Sequence, residues 1–274
     1  MGGTIHNYSH AKKFNFKGNE IESVELQDGS RIYGKKFISN ADISKTLDMI
    51  EGGEVRQAYR LRINSLENSI SAFIVNVVFK KNTFKYWNYN RYYYGAEDVW
   101  SGPGYQEKDW PLGLAMFTRL SSKNSEYADS IMLMSYMRFD EVKKWEHSHS
   151  TVPKHITSRG QEYEDFKHKK AEKILDMMET QFPGFRSNVH SYYTSTPRTY
   201  RDYIGTRDGT LYGILKDHND PLKTFISPKT KVPNLFLTGQ NLNMHGVLGV
   251  TVSSVVTCGE LVDSQYLVKK IRAA

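Results

Sequence analysis

The stretch Pro233-Asn234-Leu235-Phe236-Leu237-Thr238-Gly239-Gln240-Asn241 leads, three residues on, into His245-Gly246-Val247-Leu248-Gly249-Val250 and then Ser253-Ser254. It reads as a short apolar strand that ends at a glycine, a loop, and a helix that begins with glycines one turn apart. Such a helix start carries unpaired N–H groups and the positive end of the helix dipole, where a backbone free of side chains admits a phosphate or an electron-rich ring. Gly246 and Gly249 are equally explained by close helix packing, and their spacing does not separate the two readings. The helix, from about Gly246 to Val262, is almost wholly apolar, so it is expected to be buried on most sides or to face a ligand.

Working back from this segment, a strand is expected near Arg186 to Thr194 and a short helix is opened by Thr196-Pro197. Before them, from Asp42 to Gly184, a helix precedes a strand-rich region. Ser71 to Phe79, Lys85 to Tyr94, Leu112 to Leu120 and Ser130 to Phe139 are rich in β-branched and aromatic residues and predict an antiparallel sheet. Tyr163, Phe166, Ala171, Ile174, Leu175 and Met178 recur at helical spacing, predicting an amphipathic helix that stops at Pro183-Gly184 and covers one face of that sheet. The first 42 residues predict a meander: strands at Ala11 to Phe16, Ile21 to Leu26 and Arg31 to Ser39, with turns at Gly18-Asn19 and Asp28-Gly29.

Composition narrows the function classes. With 39% hydrophobic and 24% charged residues in 274, the chain has the make-up of an ordinary folded protein. It carries 37 Lys and Arg against 30 Asp and Glu, but the basic residues are dispersed, with only short clusters such as Lys167-His168-Lys169-Lys170, which argues against a nucleic-acid reader. No apolar run is long enough to span a membrane and no secretory signal opens the chain, so a cytoplasmic location is expected. The single cysteine, Cys258, rules out an internal disulfide and is expected to be a small buried thiol in the apolar helix. His147 and His149, with His155 nearby, have metal-ligand spacing but read as solvated loop residues, since no carboxylate or cysteine completes a ligand set. The run Tyr86 to Tyr94 either lines a cavity for an apolar ligand or belongs to a half-buried strand.

Three stretches carry a family resemblance. Phe37-Ile38-Ser39-Asn40-Ala41-Asp42 closes the meander; Thr196-Pro197-Arg198-Thr199-Tyr200-Arg201-Asp202-Tyr203 is followed by Gly209 and Tyr212-Gly213; and the Thr-Gly-Gln turn precedes the glycine-rich helix. In this order they resemble the flavin-dependent phytoene desaturase, carotenoid isomerase and retinol saturase group of amine-oxidase-like flavoproteins. The resemblance implies an α+β fold: a partial, Rossmann-like FAD-binding domain with its β-meander, joined to an antiparallel-sheet substrate domain covered by helices. It divides the chain into the meander and return strand (1–42), the substrate domain (43–195) and the C-terminal part of the FAD-binding domain (196–274).

The same resemblance implies FAD as cofactor and a carbon–carbon bond of a polyene or isoprenoid as the site of reaction. Matched residue by residue, Gly239, Gln240, Asn241, Gly246, Val247 and Gly249 become the flavin-side candidates. Tyr212, Gly213 and Tyr92 become the substrate-side candidates. No catalytic side chain and no metal is implied. The expected partner is a hydrophobic small molecule, with peripheral membrane contact as its route of access. The family's GxGxxG, which seats the pyrophosphate, has no counterpart here; Gly102-Pro103-Gly104-Tyr105-Gln106-Glu107 has Glu at the third glycine. The chain therefore reads as the C-terminal portion of a longer flavoprotein, expected to hold FAD weakly and to be inactive alone. An amine-oxidase-like flavoprotein with another substrate and a noncatalytic lipid- or partner-binding module are the alternatives.

Overall fold

The computed structural model describes residues 2–149 and 159–273. The chain folds as two compact units, one formed by Met1–Ser69, Ile204–Arg207 and Tyr212–Ala274, the other by Ile70–Tyr203 and Asp208–Leu211. Both mix helices with sheet, and the chain is an α+β protein.

In the first unit, β1 (Ala11–Lys17), β2 (Glu20–Leu26) and β3 (Arg31–Tyr33) form the expected antiparallel meander. At the β2–β3 turn the Asp28 carboxylate accepts from the Ser30 backbone N–H and hydroxyl, at 2.9 and 2.6 Å, which gives the Asp-Gly turn its local support. The expected strand Arg31 to Ser39 is broken at Gly34-Lys35-Lys36, and its second half, β4 (Phe37–Ser39), leaves the meander. It pairs in parallel with β10 (Leu235–Leu237), matching Phe37 to Leu235 and Ser39 to Leu237. Asp42 caps α1 (Ile43–Asp48) by accepting from Ser44 N, and α2 (Gln57–Ser65) follows. Ile21, Ile43, Leu47, Ile63, Leu235 and Leu237 are buried together in the core of this unit.

Asn234 knits these pieces. Its Oδ1 accepts from Ile21 N at 2.9 Å, and its Nδ2 donates to Ile21 O at 2.8 Å and Lys35 O at 3.3 Å. The side chain is buried, so water offers no ready substitute.

The second unit is built on a five-stranded antiparallel sheet. It contains β5 (Ser71–Phe79), β6 (Arg91–Tyr94), β7 (Gly113–Leu120), β8 (Ala128–Met137) and β9 (Val189–Ser195), in the spatial order β6-β7-β8-β5-β9. β5 lies between β8 and β9 and is buried along most of its length, which is why it reads as a nearly continuous apolar run, interrupted within the strand only by Asn76. Helix α3 (Gln161–Gln181) lays Tyr163, Ala171, Ile174, Leu175 and Met178 into a core with Phe73, Val75, Leu133 and Met137. It ends before Pro183-Gly184, where Glu179 accepts from Gly184 N and Arg186 N, both at 2.7 Å. Lys170 is buried rather than solvated like an ordinary surface lysine. It pairs with Glu141, which also accepts from the Tyr105 hydroxyl, and its ammonium sits 4.6 Å above the Trp110 ring.

A second strand expectation needs correction. Lys85 to Tyr94 is strand only over Arg91–Tyr94, with an isolated bridge from Lys85 to Tyr127. Tyr86 and Trp87 instead pack against the core, and the Trp87 ring lies 5.2 Å from that of Phe84.

Replacing Asn234 by Ala leaves the N–H and carbonyl of Ile21 buried without this partner. A loss of about 2 kcal/mol or more is expected. Equilibrium urea denaturation, followed by hydrogen exchange in β2 and β10, checks whether the loss falls in the first unit; an unchanged midpoint would show that Asn234 is dispensable.

Candidate functional site

Beyond β10 the Thr238 N–H still bonds to Ser39 O, at 2.9 Å, and the chain then turns at Gly239 with φ +96°. A side chain at this position would be strained and would collide with Oδ1 of Asn40. Gln240 is half-buried in the turn, and Asn241 is buried behind it. The segment Tyr212 to Lys216 runs alongside, held by an isolated antiparallel bridge from Ile214 to Asn68. Gly213, at φ +81°, lets Asn241 fit, since a Cβ there would occupy the place of Asn241 Oδ1. That Oδ1 is a buried acceptor with no hydrogen-bond partner.

Lys216 anchors the loop from below: its ammonium donates to Leu242 O at 2.5 Å, Thr224 O at 3.3 Å and Asn241 O at 3.4 Å. Asn243 holds Ile226 through both its N–H and its carbonyl, at 3.0 and 2.9 Å. His245 stacks on Tyr212, ring centroids 5.6 Å apart, with Nε2 3.0 Å from Ile214 O. Burial lowers the Lys216 ammonium to about 8, assisted by the charge of Arg62. Burial, and then the Lys216 charge, lowers His245, while the bond to Ile214 opposes them. Its ring is therefore neutral at pH 7.

Helix α5 (Gly246–Gly259) starts directly after this cluster, and its N-cap residue His245 makes no side-chain capping bond. The helix is not buried on most sides. Gly249, Ser253 and Thr257, one turn apart, face inward, and Thr257 donates to Leu237 O at 3.0 Å. Val247 and Leu248 are 87% and 73% exposed, and Val256 also faces out. Cys258 is exposed rather than buried, because it lies one residue, about 100° of helix rotation, beyond inward-facing Thr257. The two glycines differ. A Cβ at Gly249 would collide with the backbone of Met244, so its missing side chain serves packing, whereas the space beside Gly246 is open.

The site thus offers uncapped helix N–H donors, an orphan buried acceptor at Asn241 Oδ1, and exposed apolar side chains at Val247 and Leu248. Together these suit a flat ligand with donors and acceptors along one edge and apolar faces.

Tyr92 belongs to the second unit. It lies on the sheet face opposite α3, in the row Tyr92–Ala115–Met134–Ile74; the next row brings Phe117, Met132, Asn76 and Tyr193 side by side. Tyr92 and Phe117 meet edge to face at 6.0 Å. Tyr92, Met132, Tyr136 and Tyr193 are exposed. A core packs under α3, a groove of about 470 Å³ lined by Tyr89 to Tyr93, Met116, Gln181 and Phe182 opens at its edge, and the opposite face is an open aromatic and methionine-rich surface that includes Tyr92.

No group of three or more His, Cys, Asp or Glu that could hold a metal occurs among the described residues. His147 lies 3.6 Å from Glu146 and His149 3.6 Å from Asp202; His155 is outside the described residues. The Gly102-Pro103-Gly104 stretch forms a 3₁₀ turn (Val99–Gly104), followed by a second short 3₁₀ turn (Glu107–Asp109) and then by β7 rather than by an α-helix. No helix among the described residues is long and apolar enough to cross a membrane.

No protein-family model matches the chain. It is 23% identical over 172 residues to an all-trans-retinol 13,14-reductase of Danio rerio, covering 61% of this chain and 25% of that protein. It is 22% identical over 276 aligned positions to the lycopene-forming phytoene desaturase of Pantoea ananas, covering 96% of this chain and 52% of that one. The chain is a distant relative of these proteins. It spans a quarter to about half of their length. An oxidoreductase structure from Methanosarcina mazei superposes with a TM-score of 0.52 at 13% identity, over 92% of this chain and 49% of that one, which shows a shared fold.

Lys216→Met removes one of the two influences that hold His245 down, so the His245 titration followed by NMR should move up. Relative to that variant, the native chain should gain stability as pH rises from about 8 towards 10.5, because in that window the unfolded chain holds a proton that the folded one has released. A His245 titration unmoved by the substitution would contradict the described coupling.

Proposed function

We propose that this chain is part of an FAD-dependent oxidoreductase that acts on a carbon–carbon bond of a polyene or isoprenoid. The observation that carries the proposal is the β10–α5 loop, which holds an orphan buried acceptor at Asn241 Oδ1 and leads into an uncapped helix start. These residues fit the polar edge of a flavin ring: Asn241 Oδ1 would take an N–H, and the first N–H groups of α5 would face carbonyl oxygen. Gly246 leaves room for the approach, and Val247 and Leu248 would cover apolar ring. When bound, FAD supplies the hydride acceptor or donor. The chain's own contribution is orientation and electrostatics, with the helix N-terminus favouring negative charge on that edge. Neutral His245 and the Tyr212 ring would shield it from water.

The distant likeness to a retinol reductase and a phytoene desaturase supports an elongated apolar substrate, and so does the open sheet face. Tyr92, Phe117, Met132, Met134 and Tyr193 offer polarisable surface without charge, which suits conjugated hydrocarbon. Access from a lipid surface would be served by α6 (Ser264–Arg272), where exposed Tyr266, Val268 and Ile271 lie beside Lys269, Lys270 and Arg272. A second reading, a noncatalytic apolar-ligand module, is favoured by the same open face, since apolar burial there needs no nucleotide.

Titrating all-trans-retinol while following tryptophan fluorescence tests the substrate class, with a short-chain amine as control. Met132→Glu should weaken retinol binding about tenfold, near 1.4 kcal/mol, while changing the melting temperature little because the position is exposed. Equal, weak responses to both ligands would overturn the polyene reading. Retinol binding without flavin reduction or oxidation in FAD-loaded protein would favour the module.

A further inference from the structure

The second unit buries a cationic cluster that the polyene reading does not use. Helix α4 (Pro197–Ile204) places Arg198 at its second position, 0% exposed. Arg198 Nη2 donates to Ser148 O and lies 3.5 Å from Asp202 Oδ1, but Nε and Nη1 are buried with no hydrogen-bond partner. Arg159, also largely buried, donates to Asp202 Oδ2 and, through Nε, to Ser148 Oγ at 2.8 Å. Two guanidinium groups therefore share one carboxylate, that of Asp202, itself buried.

Among the described residues, the neighbours in contact with the two guanidinium groups add no further carboxylate beside Asp202. Arg201, whose guanidinium lies 5.5 Å over the Phe139 ring, and Arg159 both repel the Arg198 charge. His149 lies 3.6 Å from Asp202, and the Tyr163 hydroxyl is bonded to Thr196 at 2.7 Å. Residues 150–158 include no Asp or Glu in their sequence. Arginine does not escape burial by releasing its proton, so an uncompensated guanidinium inside a protein calls for a counterion. Water can satisfy its N–H groups but cannot balance the charge.

We infer that Arg198 and Arg159 form an internal binding site for a carboxylate monoanion. A single negative charge balances the pair, and a carboxylate oxygen makes the short charge-assisted bonds that Nε and Nη1 lack. A phosphate dianion would exceed the excess charge and place two negative charges beside Asp202. The carboxylate is either a small free acid or the acid end of an apolar ligand. This site stands independently of the flavin reading.

The test uses the whole chain in HEPES buffer, with sodium acetate, sodium all-trans-retinoate, retinol and sodium chloride compared at equal ionic strength by calorimetry and thermal melting. Saturable stabilisation by a carboxylate beyond that of chloride is expected. Retinoate binding at least tenfold tighter than both acetate and retinol assigns the acid end of an apolar ligand, and equal acetate and retinoate affinity assigns a small acid. Arg198→Met should weaken carboxylate binding at least tenfold yet melt no lower than the native chain in carboxylate-free buffer, because it removes a buried guanidinium whose Nε and Nη1 lack partners and which shares its one carboxylate with Arg159. In parallel, the Arg198 Nε–H resonance of the 15N-labelled native chain should shift on saturation with acetate. The absence of a saturable carboxylate response in the native chain, an unmoved Arg198 resonance, or an undiminished response in Arg198→Met would overturn the inference.

Discussion

The parallel pairing of β4 with β10 joins residues almost 200 positions apart, and the candidate site is a consequence of that closure. Three matched residue pairs are a short ladder, which by itself would hold little. Asn234 reinforces it by bonding both to β2 and to the turn before β4, so meander, return strand and closing strand are fixed as one piece. Only then does Asn40, just past β4, come against Gly239, just past β10, and set the turn that carries Asn241 and His245.

Helix α5 follows from the same closure, with an inverted amphipathic character. Small and hydroxylated residues face inward because the helix must lie close to β10, where Thr257 reaches Leu237 O and Gly249 admits the Met244 backbone. Valine and leucine are left outside. An exposed apolar helix face beside an uncapped N-terminus is costly to leave in water, and that cost is the physical reason for reading a ligand edge here.

Much of this architecture is legible in the sequence where local chemistry and burial agree. The Asp28-Gly29 turn, the apolar run of β5 and the heptad-like spacing of α3 each declare themselves because their neighbours along the chain decide them. Lys85 to Tyr94 misleads, since aromatic residues suit both a strand and a packed loop, and Tyr86 and Trp87 choose the core. Cys258 and the exposed valines mislead because hydrophobicity alone does not say which side of a helix has a partner. Of the polar residues that matter most, Asn241 is marked by the family resemblance and Arg198 only as part of the Thr-Pro stretch, while Lys216 carries no signal in the sequence. Each takes its meaning from groups distant in sequence: Lys216 from Leu242 O, Asn241 from Gly213, and Arg198 from Ser148. The Tyr212-Gly213 pair is a further signal for Asn241, as a glycine that only a close neighbour explains.

Amide hydrogen exchange with and without FAD, on samples whose visible spectrum establishes bound flavin, addresses the site most directly, because it reads the loop backbone itself. The account predicts slowed exchange across Gly239 to Gly249 and little change in β5 and β8. Unchanged exchange in that loop, with flavin bound and protection located elsewhere, would contradict it.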